Sequence, residues 1–348
     1  MIVWISLIIY VFLINIIISK IKVKDKNKWF LIFAGLGVIF IMGSRSHLTG
    51  VPDINVYYNY YDYISNIAFK DIFKYNPYGF EVGYILLNKV FSLFLHNPQT
   101  ILYLEAFICV SCTSYFIYKN SQKMFDSLIY FICFGCMMFA LSGFRQAIAM
   151  SICLVSIEFI KKKKFIPFFI LVLIACTFHQ TAVIFFVSYF VINSDFKIEH
   201  ISALALFFIL VIGFNDKIIF IANNVFNRHY EGYTGSAFNG IMYVIIDLLI
   251  IAMAIITKKN NNNKNKIGIN MTVLSLIFFV SGYFVEISQR ISWYFLYGTI
   301  IALPNLYTLI ENKRNQEVVR FLFLIFAILL FIYRFSNNQY SNYEFFWS

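Results

Sequence analysis

Arg145 follows Ser142, Gly143 and Phe144 at the opening of an apolar stretch, with Gln146 and Ala147 behind it. A guanidinium fork beside the free amides of a helix's first turn suits phosphate. Snorkelling to lipid phosphate is the plainer alternative. Farther along, Phe178, His179 and Gln180 interrupt a long apolar stretch. An intramembrane histidine is costly unless partnered or lining a cavity. Its pKa range suits proton abstraction near neutral pH. A bond to a carbonyl at a helix break would also account for it. Late in the chain, Glu286 and Arg290 stand four apart, so on a helix they share a face and can pair. Trp293 and Tyr294 then add an aromatic wall.

Two earlier stretches carry similar chemistry. Gly43, Ser44 and Arg45 close an apolar run and lead through Asp53 and Asn55 to Tyr57, Tyr58, Tyr60, Tyr61 and Tyr63. Rings that stack on sugar faces, with amides and carboxylates for hydroxyls, suit a carbohydrate; an aromatic belt at a membrane interface is the alternative. Tyr78 to Tyr84 holds Glu81 before an apolar helix, where a carboxylate favours the helix start. Arg228, beside His229 and Glu231, is placed to close over a bound substrate.

The elements that position these residues are membrane helices. Of 348 residues, 60% are hydrophobic and only 13% charged, against about a quarter charged in a soluble domain. The mean hydropathy is +0.74. Apolar runs such as 321–333 are unbroken rather than alternating, which argues against a β-barrel. The class is an all-α polytopic membrane protein of about 10–12 transmembrane helices, a single transmembrane domain over 1–348. Residues 1–19 lack a basic n-region and a small-residue cleavage site and read as the first span. The six cysteines fall in or beside apolar stretches and read as small hydrophobes. No metal site or cofactor is expected. The net charge of +11 sits in short loops, so membrane sidedness explains it and nucleic acid is not an expected partner.

Spans are expected at 1–19, 29–43, 101–118, 124–141, 147–160, 200–213, 240–257, 270–285, 293–310 and 319–333. Basic loops at 20–28, 119–123, 161–164, 258–266 and 311–320 should face the cytoplasm. Parity then makes 44–80 an outer loop and 82–95 an interfacial or partly inserted helix. It also makes 165–192 a re-entrant pair of half-depth helices meeting near His179, with a single tilted helix and one violated loop as the rival. Only the lysine loops set this orientation. It nonetheless puts Arg45, Asp53, Glu81, Arg145, Arg228, Glu286, Arg290 and Arg334 at the outer face.

No G-x-G-x-x-G, P-loop or H-E-x-x-H motif occurs. An enzyme on the outer face has no ATP and must draw on an activated substrate, such as a lipid-linked sugar diphosphate. The sequence resembles the EpsG-like family of bacterial exopolysaccharide and Wzy-type O-antigen polymerases. The resemblance rests on Gly43, Ser44 and Arg45 with Asp53 and Tyr57; on Glu81 to Tyr84; on Phe144 to Ala149; on Ala175 to Ala182; and on Arg290 with Tyr294 and Phe295. It implies a multi-span enzyme in a bacterial cytoplasmic membrane, joining oligosaccharides carried on undecaprenyl diphosphate. A flippase and a chain-length regulator would be its partners, besides membrane lipid. By that analogy Arg145 and Arg290 grip diphosphate, Arg45 assists and His179 is the base. Asp53, Tyr57, Glu81, Tyr84, Gln146, Arg228, Glu286 and Tyr294 are substrate-binding candidates. An O-antigen-ligase-like transferase would look almost the same. A flippase of lipid-linked sugar is the other rival, kept alive by Asp247 inside its span.

Overall fold

The computed structural model describes residues 1–74, 76–194, 240–257, 263–283, 286–336 and 339–348, with backbone alone at 263, 264 and 286. The expected span at 200–213 and Arg228 lie outside the described residues. Within them the protein is a bundle of fourteen α-helices with short 3-10 turns. The first eight are α1 (Ile2–Lys20), α2 (Lys26–Gly43), α3 (Ile54–Ser65), α4 (Val82–Ser92), α5 (Thr100–Asn120), α6 (Met124–Cys133), α7 (Cys136–Ala140) and α8 (Phe144–Lys161). Then come α9 (Phe165–Cys176), α10 (Ser188–Val191), α11 (Ile241–Ile256), α12 (Asn263–Ser281), α13 (Glu286–Tyr307) and α14 (Lys313–Ser336). Four of them, α1, α2, α5 and α14, are long and apolar enough to cross a membrane by length and composition. The all-α polytopic class therefore stands.

Three elements depart from the expected pattern. Residues 124–141 are two helices, broken where Gly135 takes φ 100°. Arg334, expected at a wet rim, packs on this break; it donates to the Phe134 carbonyl at 3.3 Å and to the Tyr243 hydroxyl at 2.9 Å. Apolarity continues through the break, so composition does not reveal it. The loop at 44–80 contains α3, whose Ile54, Tyr57, Tyr60, Tyr61 and Ile64 recur at helical spacing and are buried. Its tyrosines build a second core with α4 and the first turns of α5 and α8 instead of standing open as a belt. The late helices also begin earlier than expected, α12 at Asn263 and α13 at Glu286.

The segment at 82–95 forms α4, eleven residues long. That is about 16 Å, too short to span. Its Lys89 does not snorkel. The ammonium donates to the carbonyls of Ile64, Ser65 and Ile67, closing the end of α3.

The stretch at 165–192 is a hairpin. Helix α9 descends from Phe165, the chain turns at Thr177–His179, and a 3-10 segment (Gln180–Val187) returns into α10. Ring contacts define the antiparallel register: Phe165 meets Tyr189 at 5.0 Å, and Phe169 meets Phe186 at 5.0 Å. Each arm is roughly 20 Å long, shorter than the hydrocarbon core. Broken backbone at such depth needs protein partners. At the apex the Gly83 amide is one, donating to the Thr177 carbonyl at 2.8 Å. At the other end Asn270 of α12 closes the returning arm, its amide nitrogen lying 2.8–3.0 Å from the carbonyls of Val191, Ile192 and Ser194.

The two ends of the bundle differ. At one, the described lysine loops gather. Asp126 binds Arg320 at 2.8 and 3.0 Å and Tyr307, tying α6, α13 and α14 together. Asn305 bridges to Asn120 and Gln122. At the opposite end, the N-terminal ammonium donates to the Ser341 carbonyl, and residues 344–346 pair with 44–46.

Candidate functional site

A cavity of about 740 Å³ opens at the end where the chain termini meet. Stretches far apart in sequence line it: Asp53, Val56 and Tyr57; Tyr78, Gly79 and Phe80; Phe139, Ser142, Gly143, Arg145 and Gln146; His179 and Gln180; and Arg290.

Arg145 sits in the first turn of α8, behind an N-cap glycine that offers no side-chain cap. The Phe144 amide donates to the Ser142 carbonyl at 3.1 Å, so the amides of Arg145 and Gln146 are the ones placed to meet an outside acceptor. The Arg145 guanidinium pairs with Glu81 and lies over the Phe80 ring at 4.5 Å. Its Nε atom is buried without a hydrogen-bond partner. Gln146 donates to the Arg290 carbonyl at 2.6 Å, locking the start of α8 to the first turn of α13. Arg290 lines the cavity from that turn, and its side chain forms no ion pair with a described residue. One guanidinium is thus pre-oriented by a carboxylate, while the other lines the cavity with no ion pair to a described side chain.

His179 stands at the hairpin apex and is 8% exposed. Its Nδ1 lies 2.6 Å from the Thr181 hydroxyl, which is 3.1 Å from the Tyr294 hydroxyl. This chain orients the imidazole. The apex is also tied to α4: the Gly83 amide donates to the Thr177 carbonyl at 2.8 Å. A carbon at the Cβ position of Gly83 would lie 2.9 Å from that carbonyl oxygen, so only glycine permits the approach.

Four aromatic rings, Tyr57, Tyr78, Phe80 and Phe139, stand among the groups lining the cavity. Tyr57 stacks on Phe144 at 4.6 Å, Tyr78 on Phe80 at 5.4 Å and Phe139 on Trp293 at 4.7 Å. Burial raises the Tyr57 phenol pKa, and the nearby Arg145 opposes that shift. The hydroxyl is therefore a neutral hydrogen-bonding group. Asp53 precedes α3 in a left-handed conformation, φ 63°, with no side-chain bond to the helix amides.

The structure brings together Asp53, Tyr57, Arg145, Gln146, His179 and Arg290 on the cavity, with Glu81 bonded to Arg145 and Tyr294 linked to His179 through Thr181. Two residues lie elsewhere. Tyr84 is fully buried beneath the wall, edge-on to Tyr57 at 5.6 Å. Arg45 is 1% exposed and turned away. Its fork holds the carbonyls of Met42 and Leu141, and it lies 5.4 Å over the Phe144 ring. Arg45 is therefore placed to clamp the turn that leads into α8. Glu286 opens α13, but its side chain lies outside the described residues, as does its expected pairing with Arg290. Sequence reasoning missed Phe139 and the bridging role of Thr181. No local signal marks Phe139, because it reaches the cavity only through the break before α7.

An all-α membrane protein with a cationic, aromatic-walled cavity at one end is the class that fold and site define. The model of the EpsG family matches residues 28–346, and the chain belongs to that family of exopolysaccharide and Wzy-type polymerases. This supports a polysaccharide-polymerase role in the broad sense, in a bacterial membrane. No curated protein and no solved structure matches.

Proposed function

We propose that the protein joins oligosaccharide repeat units carried on undecaprenyl diphosphate at the outer face of the bacterial cytoplasmic membrane. In this reading an acceptor hydroxyl attacks the anomeric carbon of the donor glycan. The bond from that carbon to the diphosphate breaks, and undecaprenyl diphosphate leaves. Arg145, Arg290 and the first-turn amides of α8 hold the diphosphate and stabilise the charge it gains. His179 accepts the proton of the hydroxyl, with Thr181 and Tyr294 keeping its ring in place. Asp53, Tyr57, Tyr78 and Phe80 receive the sugars.

The observation that carries this reading is the convergence of Arg145, Gln146, His179 and Arg290 on one cavity. That cavity lies at the bundle end opposite the lysine loops, the end that the positive-inside rule assigns to the outside. The test is an assay of purified protein with lipid-diphosphate repeat units. A ladder of products is expected, reduced about hundredfold or more by His179→Ala and by Arg145→Ala. Near-normal ladders from both variants would remove these residues from the chemistry. A wild type that moves labelled lipid across vesicles without making a ladder would instead be a transporter.

A further inference from the structure

The lysine-rich end carries a feature that this chemistry does not use. A groove of about 490 Å³ runs between α2 and α5 on the flank of the bundle. Leu36 and Ile39 of α2 and Phe107 and Val110 of α5 wall it. Leu36 and Phe107 are more than half exposed, so in a membrane this flank meets acyl chains. The lining charges, Lys28 and Lys119, lie together at one mouth.

Length sets the depth of the groove. Lys28 to Ile39 on α2, and Phe107 to Lys119 on α5, each advance roughly 17–18 Å at the helical rise. Half of the hydrocarbon core is about 15 Å. The groove is thus one leaflet deep, with cations at the headgroup level and apolar walls to the midplane. One of the cations, Lys119, is held in place. The Lys119 ammonium lies 5.7 and 5.6 Å from the ring centroids of Tyr115 and Tyr118. Asp25, the one carboxylate in the 20–28 loop, is already engaged by the Tyr118 hydroxyl at 2.7 Å and the Lys28 amide at 2.9 Å.

We propose that this groove binds an anionic glycerophospholipid, its phosphate between Lys28 and Lys119 and one acyl chain along α2 and α5. The ligand is distinct from the proposed polymerase substrate, whose diphosphate would lie at the far end of the bundle. The proposal needs only the membrane fold and stands or falls apart from the catalytic reading.

The test is native mass spectrometry of the detergent-purified protein titrated with phosphatidylglycerol or with phosphatidylcholine of the same chains. Retention of phosphatidylglycerol about tenfold above phosphatidylcholine is expected, since each lysine near a headgroup favours anionic lipid. The double variant Lys28→Gln/Lys119→Gln should remove that preference. Lys22→Gln/Lys24→Gln, the same charge loss away from the groove, should keep it. Ser111→Phe, which fills the groove with both lysines intact, should lower retention several-fold. Equal retention of the two lipids by the wild type, or equal losses in the two lysine variants, overturns the proposal. Should Lys28→Gln/Lys119→Gln fail to fold, Ser111→Phe decides alone: undiminished retention overturns it.

Discussion

Asp53 shows what a single residue can reveal about a site. A non-glycine residue at φ 63° is uncommon, though Asp and Asn tolerate it best. Here the strained position sits on the cavity wall, and the carboxylate does not cap the helix that follows. Asn keeps the backbone tolerance and removes only the charge; a β-branched residue removes both. Asp53→Asn should therefore melt like the wild type in detergent yet make less polymer. Asp53→Val should lower stability by about 1–3 kcal/mol, read as a lower melting temperature. The two arginines beside it differ in a way sequence does not show. Arg145 is oriented by Glu81, while Arg290 has no described counter-charge. Arg45 carries the same chemistry and is read from sequence as a substrate ligand. In the structure the carbonyls of Met42 and Leu141 occupy its fork.

At the scale of elements, the hairpin at 165–192 places His179, and α4 holds the hairpin's apex. Gly83 makes that contact with backbone alone. Gly83→Val would drive a branched side chain into the Thr177 carbonyl and break the 2.8 Å bond. The expected result is faster hydrogen exchange at 176–182 and a loss of polymer of at least tenfold, with the bundle still folded. Unchanged exchange at the apex would show that α4 does not hold it. Much of this hairpin was legible beforehand. Twenty-eight apolar residues are too few for two spans, and His179 marks the turn. The break between α6 and α7 was not legible, because apolar residues continue on both sides of Gly135. The helix at 54–65 was not read from sequence, where 44–80 stood as an outer loop, although its buried residues recur at helical spacing. Its tyrosines drew a reading of exposed rings, yet Tyr60 and Tyr61 are fully buried.

Across the whole molecule the two ends divide the work. The lysine-rich end is held by a polar network centred on Asp126, which is fully buried and joins three helices through Arg320 and Tyr307. Arg320 is partly exposed and also pairs with Glu317, so losing the Asp126 charge should cost less than the loss of about 3–5 kcal/mol for a fully buried pair, while still weakening the acceptor shared by Arg320 and Tyr307. Asp126→Asn should therefore lower the melting temperature clearly. The rate per folded molecule should stay near that of the wild type, because the cavity is at the other end. A large drop in that rate, with unchanged stability, would show that the two ends are coupled.

Sequence alone determined the membrane class, the helical architecture, the shared end of the lysine loops and the order of the motifs. These are sums over local residues: hydropathy, charge and spacing need no knowledge of what packs against what. Tertiary structure decided which of the polar residues meet. Asp53, Arg145, His179 and Arg290 share one cavity because α3, α8, the hairpin and α13 converge there. Arg45, Tyr84 and Arg334 became supports because carbonyls and rings from distant stretches close around them. Contacts between positions as far apart as 45 and 345 follow from the packing of whole helices, and no local pattern encodes them.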